Sequence, residues 1–320
     1  MKGDLQALLA AVRQSGGIAH KRDIQLVADA LREAWPRHAH PNGDDCAQID
    51  TAGGVSLLAM EGFINSFVAQ DPWFAGWCGV MVNLSDIAAM GGRPQAIVNA
   101  LWSARDDQAQ QILQGMAAAS RAYQVPIVGG HTNLRSNQSQ LAVAVLGHAR
   151  RVLNSFAVRP GLTLVVAINL AGRWHPPGLN WDAATDADPA ALRRALAILP
   201  ALAETQQAVA AKDISQAGLL GTLVMMMESA RLGVSLDLNA IPRPDECDWQ
   251  DWLCAFPSFG FLLAVEPQRV DAAIARFDEA GINAAAVGAF DDSRRLTVYR
   301  DGEHACFWDL NTAPLTGMGR

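Results

Sequence analysis

The stretch with the most chemical character runs from Asn83 to Pro94 and reads Asn-Leu-Ser-Asp-Ile-Ala-Ala-Met-Gly-Gly-Arg-Pro. Its apolar residues recur at helical spacing, and Gly91-Gly92 followed by Pro94 predicts where the helix ends. Asp86 is the exception, a carboxylate inside an otherwise small and apolar helix. Taking a bare carboxylate out of water costs several kcal/mol, roughly, so Asp86 requires a cation or several hydrogen-bond donors.

Two other acidic stretches carry glycine beside their carboxylates. Gly43-Asp44-Asp45 lies ahead of a predicted strand, and Glu61-Gly62 follows the strand predicted for residues 55–60. Glycine lets the backbone approach a ligand closely, which is typical of metal and phosphate positions near strand ends. Gly-Asp-Asp is also a common turn, and a turn is favoured for that triplet taken alone.

A glycine pair with an imidazole and a hydroxyl follows later in the chain. Gly129-Gly130-His131-Thr132 comes after residues 125–128, which are predicted to form a short buried strand. A strand that opens into a double-glycine turn can hold phosphate through backbone N–H groups. A purely structural turn explains the same residues equally well. Taken together, the stretches predict that Asp44, Asp45 and Asp86 hold a metal–nucleotide complex.

The next informative stretch is Lys212-Asp213-Ile214-Ser215, which precedes a helix predicted to run through Met225-Met226-Met227 to Arg231. Asp213 or Ser215 is expected to cap that helix. The methionines are expected in the core and not on a recruitment surface.

Two loops contain residues of types that can bind ligands. His38 and His40 lie in a segment bounded by prolines, where a solvated loop is favoured over a metal site. Trp174, His175 and Trp181 lie in a stretch rich in Gly, Pro and Asp, and a surface loop is favoured there over a ligand-binding wall.

Apolar periodicity predicts a mixture of helices and strands that position these residues. One helix is predicted to begin at Asp71-Pro72 and to run into the Asn83–Pro94 stretch. The other predicted helices cover 4–13, 23–35, 106–123, 190–199 and 267–280, and further strands are predicted at 96–102, 141–146, 162–170, 234–238, 261–265 and 284–290. Pro200 is expected to end the helix over 190–199, and Leu113 is expected to face inward. Residues 172–189 and those after 302 are expected to be irregular.

Composition limits the classes of partner. The 320 residues are 50% hydrophobic and 18% charged, which is ample for a sizeable core. Lys plus Arg number 25 and Asp plus Glu 32, and the net charge of −7 argues against nucleic acid or an anionic membrane as the main partner. A phosphorylated ligand stays possible, because magnesium can bridge carboxylates to phosphate.

The cellular setting is expected to be cytoplasmic. No apolar run approaches the roughly 20 residues that span a bilayer, and the first residues are not expected to form a signal peptide. The five cysteines are scattered, without a CxxC pair, which predicts reduced thiols. Three familiar motifs do not occur: the Walker loop, a strand-linked GxGxxG and the GxSxG elbow.

In their order along the chain, five stretches resemble the superfamily of aminoimidazole ribonucleotide (AIR) synthetase: Gly43-Asp44-Asp45, Glu61-Gly62, Asn83 to Gly91, Gly129 to Thr132 and Asp213-Ile214-Ser215. That superfamily includes thiamine-monophosphate kinase, selenophosphate synthetase and the hydrogenase-maturation carbamoyl dehydratase. The resemblance extends from about residue 20 to about residue 290, and the Asn83–Gly91 stretch is its most specific part. Residues 21–24 and 71–76 are similar to the AIR synthase-related (PurM-like) branch near thiamine-monophosphate kinase and selenophosphate synthetase.

The resemblance implies an α+β fold of two domains. An N-terminal domain that binds ATP and Mg²⁺ would cover residues 1–152, and a C-terminal, α/β sandwich-like domain would cover 153–320. The N-terminal strands of two subunits would form a shared barrel, so a homodimer is expected, with ATP near that interface.

The resemblance also implies three groups of site residues. The implied magnesium ligands are Asp44, Asp45, Glu61 and Asp86. The implied nucleotide-binding residues are Gly43, Asn83, Gly129, Gly130, Thr132 and Ser215. The implied catalytic residues are Asp86, His131 and Asp213, with Asp213 and Ser215 completing the site from the second domain.

Several positions depart from the family pattern. Ala59-Met60 precede Glu61 where relatives have a threonine-containing strand and an Asp, and Gln216 replaces an acidic or small turn residue. Residues 257–261 replace an acidic Gly-Gly-Asp-Asp-Tyr type of segment. The C-terminus, 314–320, lacks the closing cysteine of the carbamoyl dehydratase branch, and no early cysteine supports selenophosphate synthesis.

The leading hypothesis is therefore ATP- and magnesium-dependent phosphoryl transfer, or ATP-driven activation, of a small-molecule substrate. This function resembles that of thiamine-monophosphate kinase. The alternatives are a nucleotide- or metabolite-binding protein without catalysis and a subunit of a larger enzyme assembly.

Overall fold

The structure is a computed structural model that describes residues 4–35 and 40–318. Residues 36–39, which include His38 of the predicted loop, lie outside the described residues, as do the last two residues of the C-terminal stretch. His40 is described, and it is exposed outside any helix or strand. Among the described helices, none has the length and apolar character needed to cross a membrane.

The described chain divides into two compact units, and neither is continuous in sequence. The five-stranded unit comprises Asp45–Val152 and Thr185–Ala201. The seven-stranded unit comprises the described residues up to Asp44, then Leu153–Ala184, then the described residues from Leu202 onward. The predicted domain limits, 1–152 and 153–320, stay a prediction.

The first half of the chain contains six helices and five strands in the described residues. They are α1 (Leu5–Arg13), α2 (Gly16–Arg22), α3 (Ile24–Leu31), β1 (Ala47–Thr51), β2 (Gly54–Gly62), α4 (Asn65–Gln70), α5 (Pro72–Ala89), β3 (Arg93–Trp102), α6 (Asp106–Tyr123), β4 (Ile127–Asn133) and β5 (Gln140–Ala149).

The second half is richer in short strands. Its elements are β6 (Thr163–Ile168), β7 (Arg173–His175), β8 (Asn180–Asp182), α7 (Pro189–Leu196), α8 (Ile198–Glu204), β9 (Ala210–Asp213), α9 (Gly218–Ala230), β10 (Gly233–Asp237), α10 (Trp249–Leu253), β11 (Phe256–Pro257), β12 (Gly260–Val265), α11 (Val270–Asp278), β13 (Asn283–Asp291), β14 (Arg295–Arg300) and β15 (Glu303–Asp309).

The sheet of the five-stranded unit has the order β1-β2-β5-β3-β4. All its pairs are antiparallel except β3 and β4, which run parallel. One face of this sheet packs on α5, because a Cβ at Gly147 of β5 would lie 2.5 Å from Cγ2 of Ile87. Alternate residues of β5, which include Val143 and Val145, are buried on that face, so the intervening residues lie on the other face.

Helix α5 is the central element of this unit, and its start was predicted from sequence. The Asp71 carboxylate accepts a hydrogen bond from the N–H of Phe74 at 3.1 Å, and Pro72 occupies the first helical position. The helix runs through the Asn83 stretch to Ala89, and Gly91 follows it with φ of +75°. The predicted cap, continuity and stop signal are therefore confirmed.

Helices α5 and α6 cross at two glycines. A Cβ at Gly76 would lie 2.0 Å from the carbonyl oxygen of Ile112, and a Cβ at Gly115 would lie 1.9 Å from that of Trp73. The backbones of the two helices are therefore in direct contact, which only residues without a side chain permit.

The seven-stranded sheet has the order β15-β14-β10-β13-β6-β12-β9. It is also mixed, since β10 and β14 are parallel while the other pairs are antiparallel. Helix α9 is buried from Gly218 to Ser229, so the methionines at 225–227 lie in the core, as predicted. The predicted α+β class with two parts is thus confirmed, and both sheets are mixed.

The predicted turn at residues 129–132 is wrong. These residues lie inside β4, where Gly129 and His131 pair with Val98 and Ala100 of β3. The glycines serve the strand pairing, because a Cβ at Gly130 would lie 2.4 Å from the carbonyl oxygen of Asn99. The strand is also not buried, since β4 is an edge strand with exposed residues.

The prediction of a surface loop over residues 172–189 is also wrong. Two short strands, β7 and β8, pair there and join β11 in a three-stranded sheet. Trp181 is buried, and its ring meets those of Trp174 and Trp252 edge-on, with centroids 5.3 Å apart in both cases. Aromatic packing therefore orders the segment.

Three smaller predictions need correction. The tail after 302 is not irregular, because β15 pairs with β14 over residues 303–309. Pro200 does not end a helix; it lies in the first turn of α8, where proline is tolerated. Leu113 of α6 is 44% exposed and does not face inward.

Candidate functional site

Two carboxylates of the five-stranded unit come together. Asp86 lies within α5 and is 5% exposed, while Asp45 lies half-buried just ahead of β1. A carboxylate oxygen of Asp45 lies within 4.8 Å of one of Asp86. Two negative charges at this separation repel each other. A divalent cation bound by both carboxylates would more than offset that repulsion. The pair is therefore suited to a hard cation with oxygen ligands.

Asn83 offers a third oxygen on the helix that carries Asp86. It lies one helical turn before Asp86 on the same side of α5 and is fully buried. Its Nδ2 donates to the carbonyl oxygen of Gly79 at 2.8 Å, whereas its Oδ1 is buried without a hydrogen-bond partner among the described residues. A buried amide oxygen left unsatisfied costs about 1–3 kcal/mol, so its position points to a bound water or cation. The donor set fits magnesium, which prefers carboxylate, carbonyl and water oxygens.

Asp44 has a different environment from Asp45. Its side chain is fully buried in the seven-stranded unit, where Lys212 Nζ lies 3.3 Å from Oδ1. Ser155 also donates twice, from its N–H to Oδ2 at 2.7 Å and from its Oγ to Oδ1 at 2.8 Å. These contacts account for the buried charge of Asp44 without a metal ion. Sequence reasoning missed Lys212, although a lysine in the apolar run of β9 is itself a signal of a buried partner.

Glu61 belongs to the five-stranded unit and Gly43 to the seven-stranded unit. Glu61 is half-buried on β2, in register with Val143 of β5. Gly43 has φ of +125°, and its carbonyl oxygen accepts a long hydrogen bond of 3.5 Å from Ser229 Oγ.

The residues of β4 predicted to bind phosphate are exposed. Gly129, Gly130, His131 and Thr132 lie on the edge strand, and the His131 ring is 5.9 Å from the ring of Trp102. Because only one side of an edge strand is paired within its sheet, its other side presents backbone groups for further hydrogen bonds.

Asp213 and Ser215 lie in the seven-stranded unit. Asp213 ends β9, is buried and pairs with Phe261 of β12. The Ser215 N–H donates to Thr222 Oγ1 at 3.1 Å, and the Ser215 Oγ is buried without a partner among the described residues. The expected cap is wrong, because α9 begins after Ala217 and has no side-chain cap.

The fold and the sequence together define the family. Residues 43–149 match the model for the AIR synthase related protein, N-terminal domain, and residues 161–301 match that for the C-terminal domain. The chain therefore belongs to the AIR synthase-related, PurM-like family.

Single proteins of known sequence or structure are also similar to this chain. The chain is 46% identical to "Uncharacterized protein sll0787" of Synechocystis sp. over 98% of both chains. It is 29% identical to thiamine-monophosphate kinase of Synechococcus elongatus over 66% of this chain and 71% of that protein. Among solved structures, AaThiL complexed with AMPPCP and TMP is 17% identical with a TM-score of 0.65, covering 88% of this chain and 92% of that one. The family thus includes ATP-using enzymes, and the last comparison establishes a shared fold.

Proposed function

We propose that the protein uses ATP and magnesium to phosphorylate a small molecule, or to activate it through phosphorylation. The observation that carries this proposal is the approach of Asp45 to Asp86, with the unsatisfied oxygen of Asn83 one helical turn before Asp86 on α5. Kinship with a thiamine-monophosphate kinase supports it, as does the fold shared with a protein that binds AMPPCP. Phosphoryl transfer depends mainly on positioning and charge compensation, which such a set of oxygens provides.

In this proposal Asp45, Asp86 and Asn83 hold magnesium, which neutralises part of the triphosphate charge when bound. The open edge at Gly129–Thr132 donates backbone N–H groups to phosphate oxygens, and His131 donates from a ring N–H. Glu61, Gly43, Asp213 and Ser215 stay predictions for the same site. Asp44 is assigned instead to its ion pair with Lys212.

Replacing Asp86 by Asn tests the proposal directly. The variant keeps the size of the side chain and removes one of the two negative charges. We therefore expect the affinity for ATP in the presence of magnesium to fall by about 10- to 100-fold. Losing a residue that only hydrogen-bonds to a metal ligand already has an effect of this size, and Asp86 is proposed to bind the metal directly. Isothermal titration calorimetry with a non-hydrolysable ATP analogue, with and without magnesium, measures this. Unchanged stability without ligand would show that the variant is folded.

Asp292→Asn is the matched control, because Asp292 is an exposed carboxylate in a turn. It should bind as the wild type does. Asp213→Asn and Glu61→Gln in the same titration test the remaining predicted ligands. Equal affinities of wild type and Asp86→Asn, or no binding by the wild type, would contradict the proposal.

A nucleotide-binding protein without catalysis is the second candidate, and the environment of Asp44 favours it. One carboxylate expected on the metal is held by Lys212 and Ser155, and Gln216 stands where relatives have an acidic or small residue. ATP turnover with a panel of small phosphate acceptors separates the two candidates. Sustained production of ADP that depends on the acceptor would exclude the second.

We also propose that the protein is a homodimer formed through the open face of the five-stranded sheet. Ile49, Leu58, Met60, Val98 and Leu146 are each at least 42% exposed on that face. The strand register places Leu58 beside Leu146, and Met60 follows Leu58 on the same face of β2. Contiguous apolar surface of this kind is typical of an interface with another protein. Such a face between two copies would form the predicted barrel.

Met60→Lys is expected to convert the dimer to a monomer. Met60 is 67% exposed, so the change should leave the fold of one chain intact, whereas burying its ammonium in an apolar interface costs several kcal/mol, roughly. Sedimentation velocity over a range of protein concentrations reports the mass. Leu113→Lys, at an exposed position of α6, is the control and should stay dimeric. A monomeric wild type, or an unchanged mass for Met60→Lys, would rule the interface out.

A further inference from the structure

The open face of the five-stranded sheet also carries a basic cavity. It has a volume of about 340 Å³ and is lined by Arg93, Gln95, His148 and Arg150. This volume lies at the lower end of the roughly 300–1,000 Å³ typical of small-molecule sites. The size suits a compact ligand or one group of a larger ligand.

The strand register explains why these side chains converge. Arg93, the first residue of β3, pairs directly with His148 of β5. Arg150 follows the end of β5 by one residue, and Gln95 lies at the bulge of β3 between Pro94 and Ala96. Side chains of adjacent antiparallel strands that are in register lie on the same face of a sheet.

The cavity lies on the opposite side of the sheet from the acidic pair. Gly147 and Ala149 face α5, since both are buried and a Cβ at Gly147 would meet Ile87. His148 lies between them in sequence and therefore points away from α5, the helix that carries Asp86. Two separate sites on the two faces of one sheet follow from this alternation.

The position of the imidazole is fixed by a glycine. Gly54 has φ of +140°, and a Cβ there would lie 2.9 Å from Nε2 of His148. The ring thus lies against the first residue of β2, and any larger residue there would displace it. The cavity wall is therefore set by backbone geometry as well as by side chains.

The charge of the lining contrasts with that of the chain. Two guanidinium groups, one imidazole and one amide line the cavity, and no carboxylate is among its lining residues, although the net charge of the protein is −7. A planar guanidinium group, such as that of Arg150, matches the oxygens of phosphate in bidentate fashion. A phosphate dianion is also attracted to a basic lining more strongly than a single carboxylate charge is.

We propose that this cavity binds the phosphate group of a small phosphomonoester. The site is formed within one unit and goes beyond the proposed function, because none of its residues belongs to the Asp45–Asp86 site. The cavity lies where β3 begins and β5 ends, on the open face of the sheet. His148 is two residues from Leu146, one of the exposed apolar residues of the proposed dimer interface.

Calorimetric titration with phenyl phosphate, without magnesium or nucleotide and at low ionic strength, tests the proposal. We expect saturable binding with one site per chain, at least about tenfold tighter than the binding of benzoate, which offers a single carboxylate charge. Inorganic phosphate as a third ligand separates a phosphomonoester site from one for free phosphate. No saturable binding of phenyl phosphate, or equal affinity for benzoate, would overturn the proposal.

Arg150→Gln and Arg151→Gln form a matched pair for this experiment. Both remove one positive charge from neighbouring exposed positions, but only Arg150 lines the cavity. We expect Arg150→Gln to weaken binding of phenyl phosphate by about tenfold or more, because a charge-assisted bidentate contact is lost, and Arg151→Gln to weaken it by less than about twofold. Equal losses of affinity in the two variants would mean that the anion responds to the overall positive charge of this region and does not bind in the cavity.

The Asp86→Asn variant separates this inference from the proposed function. It should bind phenyl phosphate as the wild type does, whatever its affinity for ATP. Loss of phenyl phosphate binding in Asp86→Asn would place the anion at the acidic site and contradict a second site.

Discussion

Gly115→Ala is expected to lower the free energy of unfolding by at least about 3 kcal/mol, the upper end of the usual cost of overpacking. The new methyl carbon would lie 1.9 Å from the carbonyl oxygen of Trp73 and 2.9 Å from the backbone nitrogen of Trp77. Neither atom belongs to a flexible side chain, so relief requires α5 and α6 to move apart. Close packing elsewhere along the two helices resists such a movement.

Urea unfolding followed by circular dichroism and by tryptophan fluorescence measures the effect. Gly53→Ala is the control within the same unit, because a Cβ at Gly53 meets no atom within 4 Å. Its free energy of unfolding should change by less than about 1 kcal/mol. Gly76→Ala should resemble Gly115→Ala, since its Cβ would lie 2.0 Å from the carbonyl oxygen of Ile112. A stability of Gly115→Ala equal to that of Gly53→Ala would disprove the close crossing.

The crossing of α5 and α6 could not be predicted from local sequence signals. The start of α5 was predictable because Asp71 and Pro72 act within one turn of the helix, and its end because Gly91 acts in the same way. Gly76 and Gly115 are far apart in sequence and carry no local signal of facing each other. Their role depends on which helix lies against which, and a single sequence does not encode that in any short window.

The hairpin of β14 and β15 was missed although a local signal for it exists. Asp301-Gly302 has positive φ at both positions, +52° and +86°, which is the geometry of a tight hairpin turn. Residues 295–300 before it alternate between buried and exposed positions. The opposite error occurred at Gly129-Gly130, where the glycines serve a close approach between β4 and β3 and not a turn. Glycine alone therefore does not distinguish a turn from a tightly packed strand.

The acidic character of the candidate site could be predicted from sequence, but the different environments of Asp44 and Asp45 could not. Asp86 stood out because a carboxylate in an apolar helix needs a cation or hydrogen-bond donors. A carboxylate oxygen of Asp45 lies within 4.8 Å of one of Asp86, an arrangement that a shared cation would stabilise. Asp44 and Asp45 are neighbours in sequence with the same side chain, yet only tertiary structure assigns one to Lys212 and the other to the approach to Asp86. Lys212 is 168 positions from Asp44, beyond the reach of any motif.

Lys212→Met is expected to destabilise the protein by about 3–5 kcal/mol, the usual cost of removing one partner of a buried ion pair. The side chains of Lys212 and Asp44 are 4% and 0% exposed, so water cannot replace the ammonium group. Methionine has a similar volume and is tolerated in apolar cores, which limits the cavity contribution. The loss should therefore reflect the uncompensated charge on Asp44 and not poor packing.

The double variant Asp44→Asn, Lys212→Met makes this interpretation testable. Asparagine keeps an oxygen that can accept a hydrogen bond from Ser155, which donates from both its N–H and its Oγ, but it carries no charge to leave unpaired. We therefore expect the double variant to be more stable than Lys212→Met alone, because the remaining polar groups are neutral and partly bonded. Urea unfolding of the wild type, both single variants and the double variant gives the coupling energy between the two side chains. A cost of under about 1 kcal/mol for Lys212→Met, or a double variant less stable than that single variant, would mean that Asp44 does not depend on Lys212 for its charge balance. In that case Asp44 would again need a cation, and the original expectation of a magnesium ligand at this position would regain its physical basis.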